Sequence, residues 1–268
     1  MSANSLNSSV VVPDNKKRLR RTWLIVVLPA WVATGFIGAQ LLVAMLIMGL
    51  RSAGVQFSEM NTSILETIAA AAVYVLTLAI VILVPWWVRR RQTTKDDLGV
   101  TRLPSWMDIG MAPAGFVVYL LASGLVVYLL TTYVPGFDGA EAQEVGFDNL
   151  TNRFEYLLAF FTLVVVAPVA EEAIFRGYLY GKLRKLAPVW VGMVITSLLF
   201  AMLHTSWNDG ALKGINVAVD VFVLSMVMCS LREVTGSIWA GILLHMMKNG
   251  LAFYFLFINP QLLHTIGG

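Results

Sequence analysis

Charge is what this sequence has least of. Only 13% of its 268 residues are Asp, Glu, Lys or Arg, and 58% are apolar, against roughly 25% charged in soluble domains. A solvated globular surface cannot be built from so few charges, so the chain reads as a polytopic membrane protein. Cysteine is nearly absent: the single Cys229 excludes an internal disulfide and a paired-thiolate metal site, and its apolar surroundings mark it as a buried, inert thiol. There is no H-E-x-x-H zinc helix, no G-x-S-x-G elbow, no glycine-rich phosphate loop and no internal repeat. The net charge of +3 and pI near 9.0 would hint at nucleic acid in a soluble chain. Here the basic residues cluster beside apolar runs and set topology instead, so no nucleic-acid partner is expected.

What the sequence has in quantity is long apolar runs. Trp23 to Leu50, Thr67 to Val88 and Ile109 to Val134 are uncharged and reach the ~20 residues that a spanning helix needs. The first run, at 28 uncharged residues, exceeds a signal h-region of roughly 7 to 15 and is read as a retained span. Four further apolar segments, Tyr156 to Ala170, Leu186 to Leu203, Ile215 to Leu231 and Val234 to Phe257, carry or abut polar residues. The expected fold is all-α, a transmembrane bundle of about seven spanning helices with its polar helices in the C-terminal half. Residues 1–22 form a polar, basic N-terminal tail and 23–268 one membrane domain.

Loop charge orients the bundle. KKRLRR at 16–21, five basic residues against two acids in 89–105, and KLRK at 182–185 belong inside, whereas 135–155, with five acids and one Arg, belongs outside. The alternation is self-consistent with a cytoplasmic N-terminus in a cell (plasma) membrane and an external C-terminus.

The three secure spans hold no ionisable residue, while the last four segments carry or border Glu171, Glu172, Arg176, His204, Asp220, His245 and Lys248. An ionisable group at membrane depth costs about 2.5 to 3.5 kcal/mol on insertion scales, so it faces a cavity or a partner. Glu172 and Arg176 are i, i+4 with the acid first, the favourable order for an ion pair. Glu171 lies about 100° round the helix and is left without that partner, available as a general base. Phe200 and His204 share a helix face, as do His245 and Asn249. Counted from a turn at Ala187 and Pro188, Glu171 and His204 come level in an antiparallel hairpin. A lone membrane histidine is more often an interhelical hydrogen-bonding group than a catalyst, but three polar helices that supply a carboxylate, an imidazole and a His/Asn pair weaken that reading. Two histidines and a glutamate from three helices are also a conceivable zinc set, although no cofactor is expected. Ser237, after Gly236, reads as an N-cap rather than a nucleophile. Asp220 either orients a histidine or bonds Asn216 one turn away.

EEAIFR (171–176), FAMLH (200–204) and HMMKN (245–249), in that order on successive polar helices, resemble the E-E-x-x-x-R, F-x-x-x-H and H-x-x-x-N motifs of the CPBP family. That family joins CAAX proteases and bacteriocin-processing enzymes and includes the type II CAAX prenyl endopeptidases. The resemblance covers about residues 155–257, the catalytic core. It implies an intramembrane glutamate endopeptidase that hydrolyses a membrane-associated peptide or protein, of the prenylated CAAX type or another, with an activated water. By the same resemblance Glu171 is the general base and Glu172 its neighbour, Arg176 supports both, His204 holds the water, Phe200 walls the site, and His245 with Asn249 stabilises the oxyanion. Two other classes stay open: a membrane transporter whose buried groups relay charge, and a catalytically silent bacteriocin-immunity or scaffold protein. Paired broken helices and inverted repeats, expected of many transporters, are not evident. Loop charge also sets His204 near the outside, whereas CAAX enzymes of the family take substrates from the cytosol; Pro168 either bends its helix and shifts the site, or the site opens outward.

Overall fold

The computed structural model describes residues 15–57, 61–89, 93–137, 147, 150–205 and 211–261. Most of the tail, most of the acidic 135–155 loop and the SWNDG turn at 206–210 lie outside the described residues. Among those described there is no strand. The helices are α1 (Asn15–Ser52), α2 (Thr62–Val88), the short α3 (Lys95–Leu98), α4 (Trp106–Tyr133), α5 (Arg153–Leu186), α6 (Val189–His204), α7 (Ala211–Thr235) and α8 (Trp239–Ile258). Six of them are long and apolar enough to cross a membrane, and α6 is a shorter apolar helix. The chain is an all-helical, multi-pass membrane protein. Three helices start or run further than their hydropathy suggests: Glu66 falls inside α2, Asp108 inside α4, and α5 continues sixteen residues past Ala170.

Lipid contact decides which helices are central. α5 and α7 bury 50% of their most apolar window and α2 only 11%, so α2 stands at the rim with its apolar side chains in the bilayer. α7 packs on α6 and α4, α8 on α4 and on the middle of α5, and α1 on α2. The shared core joins Val32, Val81, Phe175, Phe200, Met228 and Leu244 from six different helices.

Polar contacts at the helix ends show which ends share a face. Lys185 at the end of α5 holds Asp96 and Asp97 at 2.9 Å, Arg21 donates to the Leu186 carbonyl, and Arg232 donates to the Asp96 carbonyl at 3.0 Å. One face therefore gathers the start of α1, segment 93–105, the α5–α6 turn and the α7–α8 turn, which is the grouping the loop charges imply. On the opposite face Asn61, before α2, donates to Glu155 in the first turn of α5 at 2.5 Å. Segment 93–105 is pinned as a strap. Thr94 and Asp97 form a capping box on α3, Gly99 takes the left-handed φ of 68° that ends it, and Arg102 bridges Asp108 and the Thr235 carbonyl.

Candidate functional site

The site is built on a helix that departs from ideal geometry on both sides of its glutamates. Within α5, Phe161–Val166 and Ala173–Leu179 are π-helical and flank the regular turn Ala167–Glu172. The first widening has a readable cause. The Ala167 N–H goes to the Thr162 carbonyl, and Pro168, next in line, has no N–H to give. The Leu163 carbonyl thus loses both usual donors, and Asn249 of α8 supplies one, its Nδ2 at 2.9 Å. Such π turns reset the rotation of the helix beyond them, and here the residues they reorient are the acids.

Glu172 and Arg176 are fully buried and joined at 2.7 Å. The guanidinium also lies 4.3 Å from the centre of the Phe200 ring, a cation over an aromatic face. The other Glu172 oxygen looks at Gly241 of α8, where a Cβ would stand 2.9 Å away. A side chain at 241 would displace the Glu172 carboxylate.

Glu171, 4% exposed, is not without partners, contrary to what helical spacing implies. Its Oε1 accepts from the Tyr74 hydroxyl of α2 at 2.6 Å. Its Oε2 lies 3.2 Å from Nε2 of His204 and 3.8 Å from Nε2 of His245. The His245 Nδ1 is 3.3 Å from Oε1 of Glu172, so this ring spans the two acids. The His204 Nδ1 is 2.7 Å from the Phe200 carbonyl, which only accepts, so Nδ1 carries the hydrogen. Nε2 and the carboxylate then face each other as two acceptors unless one proton sits between them. The pair is built to hold a single mobile proton. Phe200 packs against both imidazoles, with centroids 4.1 Å from His204 and 5.9 Å from His245.

Comparison with known proteins concerns the same part of the chain. The model of the family described as type II CAAX prenyl endopeptidase Rce1-like matches residues 153–251. That segment resembles the Rce1-like family. Two curated proteins are similar to part of this chain. An uncharacterized 24.3 kDa protein of Escherichia coli is 27% identical over 103 residues, 38% of this chain and 45% of that protein. The UPF0177 protein YbdI of Lactococcus lactis subsp. lactis (strain IL1403) is 30% identical over 98 residues, 35% of this chain and 52% of that protein. The chain spans about half the length of the curated relatives it matches. No solved structure matches it.

The Rce1-like segment contains Glu171, Glu172, Arg176, Phe200, His204, His245 and Asn249, and the fold brings the first six into one cluster. Asn249 stands one turn beyond His245, with one amide hydrogen committed to Leu163. Asp220 accepts from Tyr119 at 2.8 Å and Ser123 at 2.5 Å, both on α4, so it ties the Rce1-like segment to the preceding helices. The N-cap of α8 is Ile238, so Ser237 stands one residue before the cap instead of being it; it donates to Asp108 at 2.7 Å and accepts from the Trp239 N–H at 3.4 Å. Cys229 is buried and unpaired in any disulfide. Among the described residues no group of three or more His, Cys, Asp or Glu is arranged to hold a metal ion; the Nε2 atoms of both histidines face Glu171.

Tyr74 escapes sequence reasoning. It lies outside the Rce1-like segment, in a run that reads as lipid-facing, and a tyrosine among apolar residues carries no signal of a partner 97 positions away.

Proposed function

We propose that the chain is an intramembrane endopeptidase that cleaves a membrane-associated peptide or protein, with a water activated by Glu171. The observation that carries this reading is the meeting of Glu171 with His204 and His245 at the middle of an apolar 34-residue helix. A carboxylate and two imidazoles gathered at that depth are costly to bury and mark a functional site by default. The name of the matching family model supports a peptidase of the CAAX type. An apolar crevice of about 330 Å³ between α2 and α5, lined by Ala71, Val75, Leu78, Val165 and Val169, supports a substrate with a hydrophobic chain, prenylated or otherwise.

In this mechanism a water lies between Glu171 and the scissile carbonyl. As its oxygen attacks the carbonyl carbon, Glu171 takes one proton, and His204 retains the proton already shared with the pair. The tetrahedral oxyanion is stabilised by a hydrogen from His245 and by the remaining Asn249 amide hydrogen. Each such donor lowers the barrier by about 3 kcal/mol in a dry site. The C–N bond then breaks, and Glu171 returns its proton to the departing amine. Glu172 and Arg176 stay paired and hold His245 in register. The chain works without a metal in this scheme, in the cell membrane with its N-terminus in the cytoplasm.

Purified protein in lipid nanodiscs, offered prenylated and unprenylated peptide tails, tests the reading. Glu171→Gln lowers kcat/KM by about 100-fold or more, the scale of a lost general base, with the melting temperature unchanged. Full activity in that variant removes Glu171 from the chemistry. Loss of activity with chelator and recovery with zinc would overturn the metal-free scheme.

A further inference from the structure

We infer that Tyr74 is a positioning residue for Glu171, supplied by a helix outside the Rce1-like segment; this rests on the reading of Glu171 as the base. The Tyr74 ring stands in the wall of the α2–α5 crevice beside Ala71, Val75, Val169 and Ala170. Every other side chain lining that crevice is Ala, Val or Leu, so the phenol has no polar neighbour within it. A tyrosine buried on an apolar face directs its hydroxyl to whatever acceptor it can reach. Here that acceptor is Oε1 of Glu171, at 2.6 Å, a short charge-assisted contact of the strong class.

The geometry divides the work of the carboxylate. With Oε1 held by Tyr74 from the rim, Oε2 is the oxygen left facing His204 at 3.2 Å and His245 at 3.8 Å. One carboxylate oxygen is held from α2 and the other faces α6 and α8. Tyr74 does not reach the reacting atoms; it selects which oxygen meets the water. It also makes the rim helix part of the site, because the hydroxyl that orients the base belongs to a ring that touches whatever enters the crevice.

Tyr74→Phe keeps the ring and deletes the hydroxyl. In nanodiscs this variant lowers kcat roughly tenfold, the equivalent of one hydrogen bond to a charged group, with KM within about twofold because the crevice wall is retained. A second readout needs no turnover: the rate at which the hydrophobic carbodiimide DCCD labels Glu171, followed by peptide mass spectrometry. Release from Tyr74 frees the carboxyl to turn toward the crevice, so labelling accelerates severalfold in Tyr74→Phe over the unmodified protein. Unchanged kcat together with unchanged labelling overturns the inference. If the unmodified protein cleaves no peptide, the proposed function falls, and labelling alone decides on Tyr74: acceleration upholds its hold on Glu171, and an unchanged rate refutes it.

Discussion

Arg176 has no water to fall back on. It is among the largest side chains with no exposed surface, and its charge is answered by Glu172 and the Phe200 ring. Replacing it with Met leaves Glu172 as an uncompensated buried charge, which costs about 3 to 5 kcal/mol. Arg176→Met should therefore lower the melting temperature in detergent as well as the activity, whereas Glu171→Gln, whose carbonyl can accept from Tyr74 while its NH2 donates to His204 Nε2, should lower activity alone. A differential scanning measurement on both variants separates the two roles. Asp97 on the strap gives a second residue-scale test. Burial pushes its carboxyl up, but the Thr94 backbone N–H, Lys185 and Lys182 outweigh this and hold it at about 2, below the ordinary 3.8. A depressed carboxyl stabilises the fold above its unfolded value, and that contribution is lost as pH falls through the folded value. The melting-temperature gap between the native chain and Asp97→Asn should stay constant above about pH 4 and shrink between 3.8 and about 2.

At the scale of elements, two close approaches set how α5 sits. Gly181 meets the strap: a Cβ there would lie 2.0 Å from the Asp97 carbonyl oxygen, a backbone atom that cannot step aside alone. Gly181→Ala should displace α3 from α5 at a cost of about 1 to 3 kcal/mol, typical of overpacking, read as a lower melting temperature with DCCD access to Glu171 unchanged. The other element that matters is α6. Its 16 residues rise about 24 Å, short of the roughly 30 Å hydrocarbon core, so it stops at its last residue, His204, level with Glu171. Glu171 and His204 do come level, 3.2 Å apart, as their equal spacing from the Ala187 and Pro188 turn implies. It works because both helices start from one tight turn and rise at nearly the same rate.

For the whole molecule, the fold joins two halves that look unrelated in composition. Tyr119 and Ser123 of α4 hold Asp220, Tyr74 of α2 holds Glu171, and the strap clamps α5, α7 and α8. By the positive-inside rule the face that carries the basic ends is expected in the cytoplasm. Leu103, exposed on the strap face, and Arg153 at the opposite end of α5 offer two labelling positions. With a membrane-impermeant thiol reagent on intact cells, Arg153→Cys should react and Leu103→Cys should react only after lysis; the reverse pattern would invert the topology. The buried Cys229 gives no background.

The sequence by itself determined the membrane class, the all-helical fold, the relative faces of the charged loops and the Glu172–Arg176 pair. Each of these depends on composition or on spacing within one helix, where geometry is set by 1.5 Å of rise and 3.6 residues per turn. Only the tertiary structure decided that Glu171 is gripped rather than free, that Pro168 commits Asn249 to the Leu163 carbonyl, and that Asp220 faces α4. Those contacts span 86 to 101 positions. They depend on how lipid-facing helices rotate against one another, a rotation that apolar side chains in an apolar solvent leave almost unspecified until polar groups find their partners.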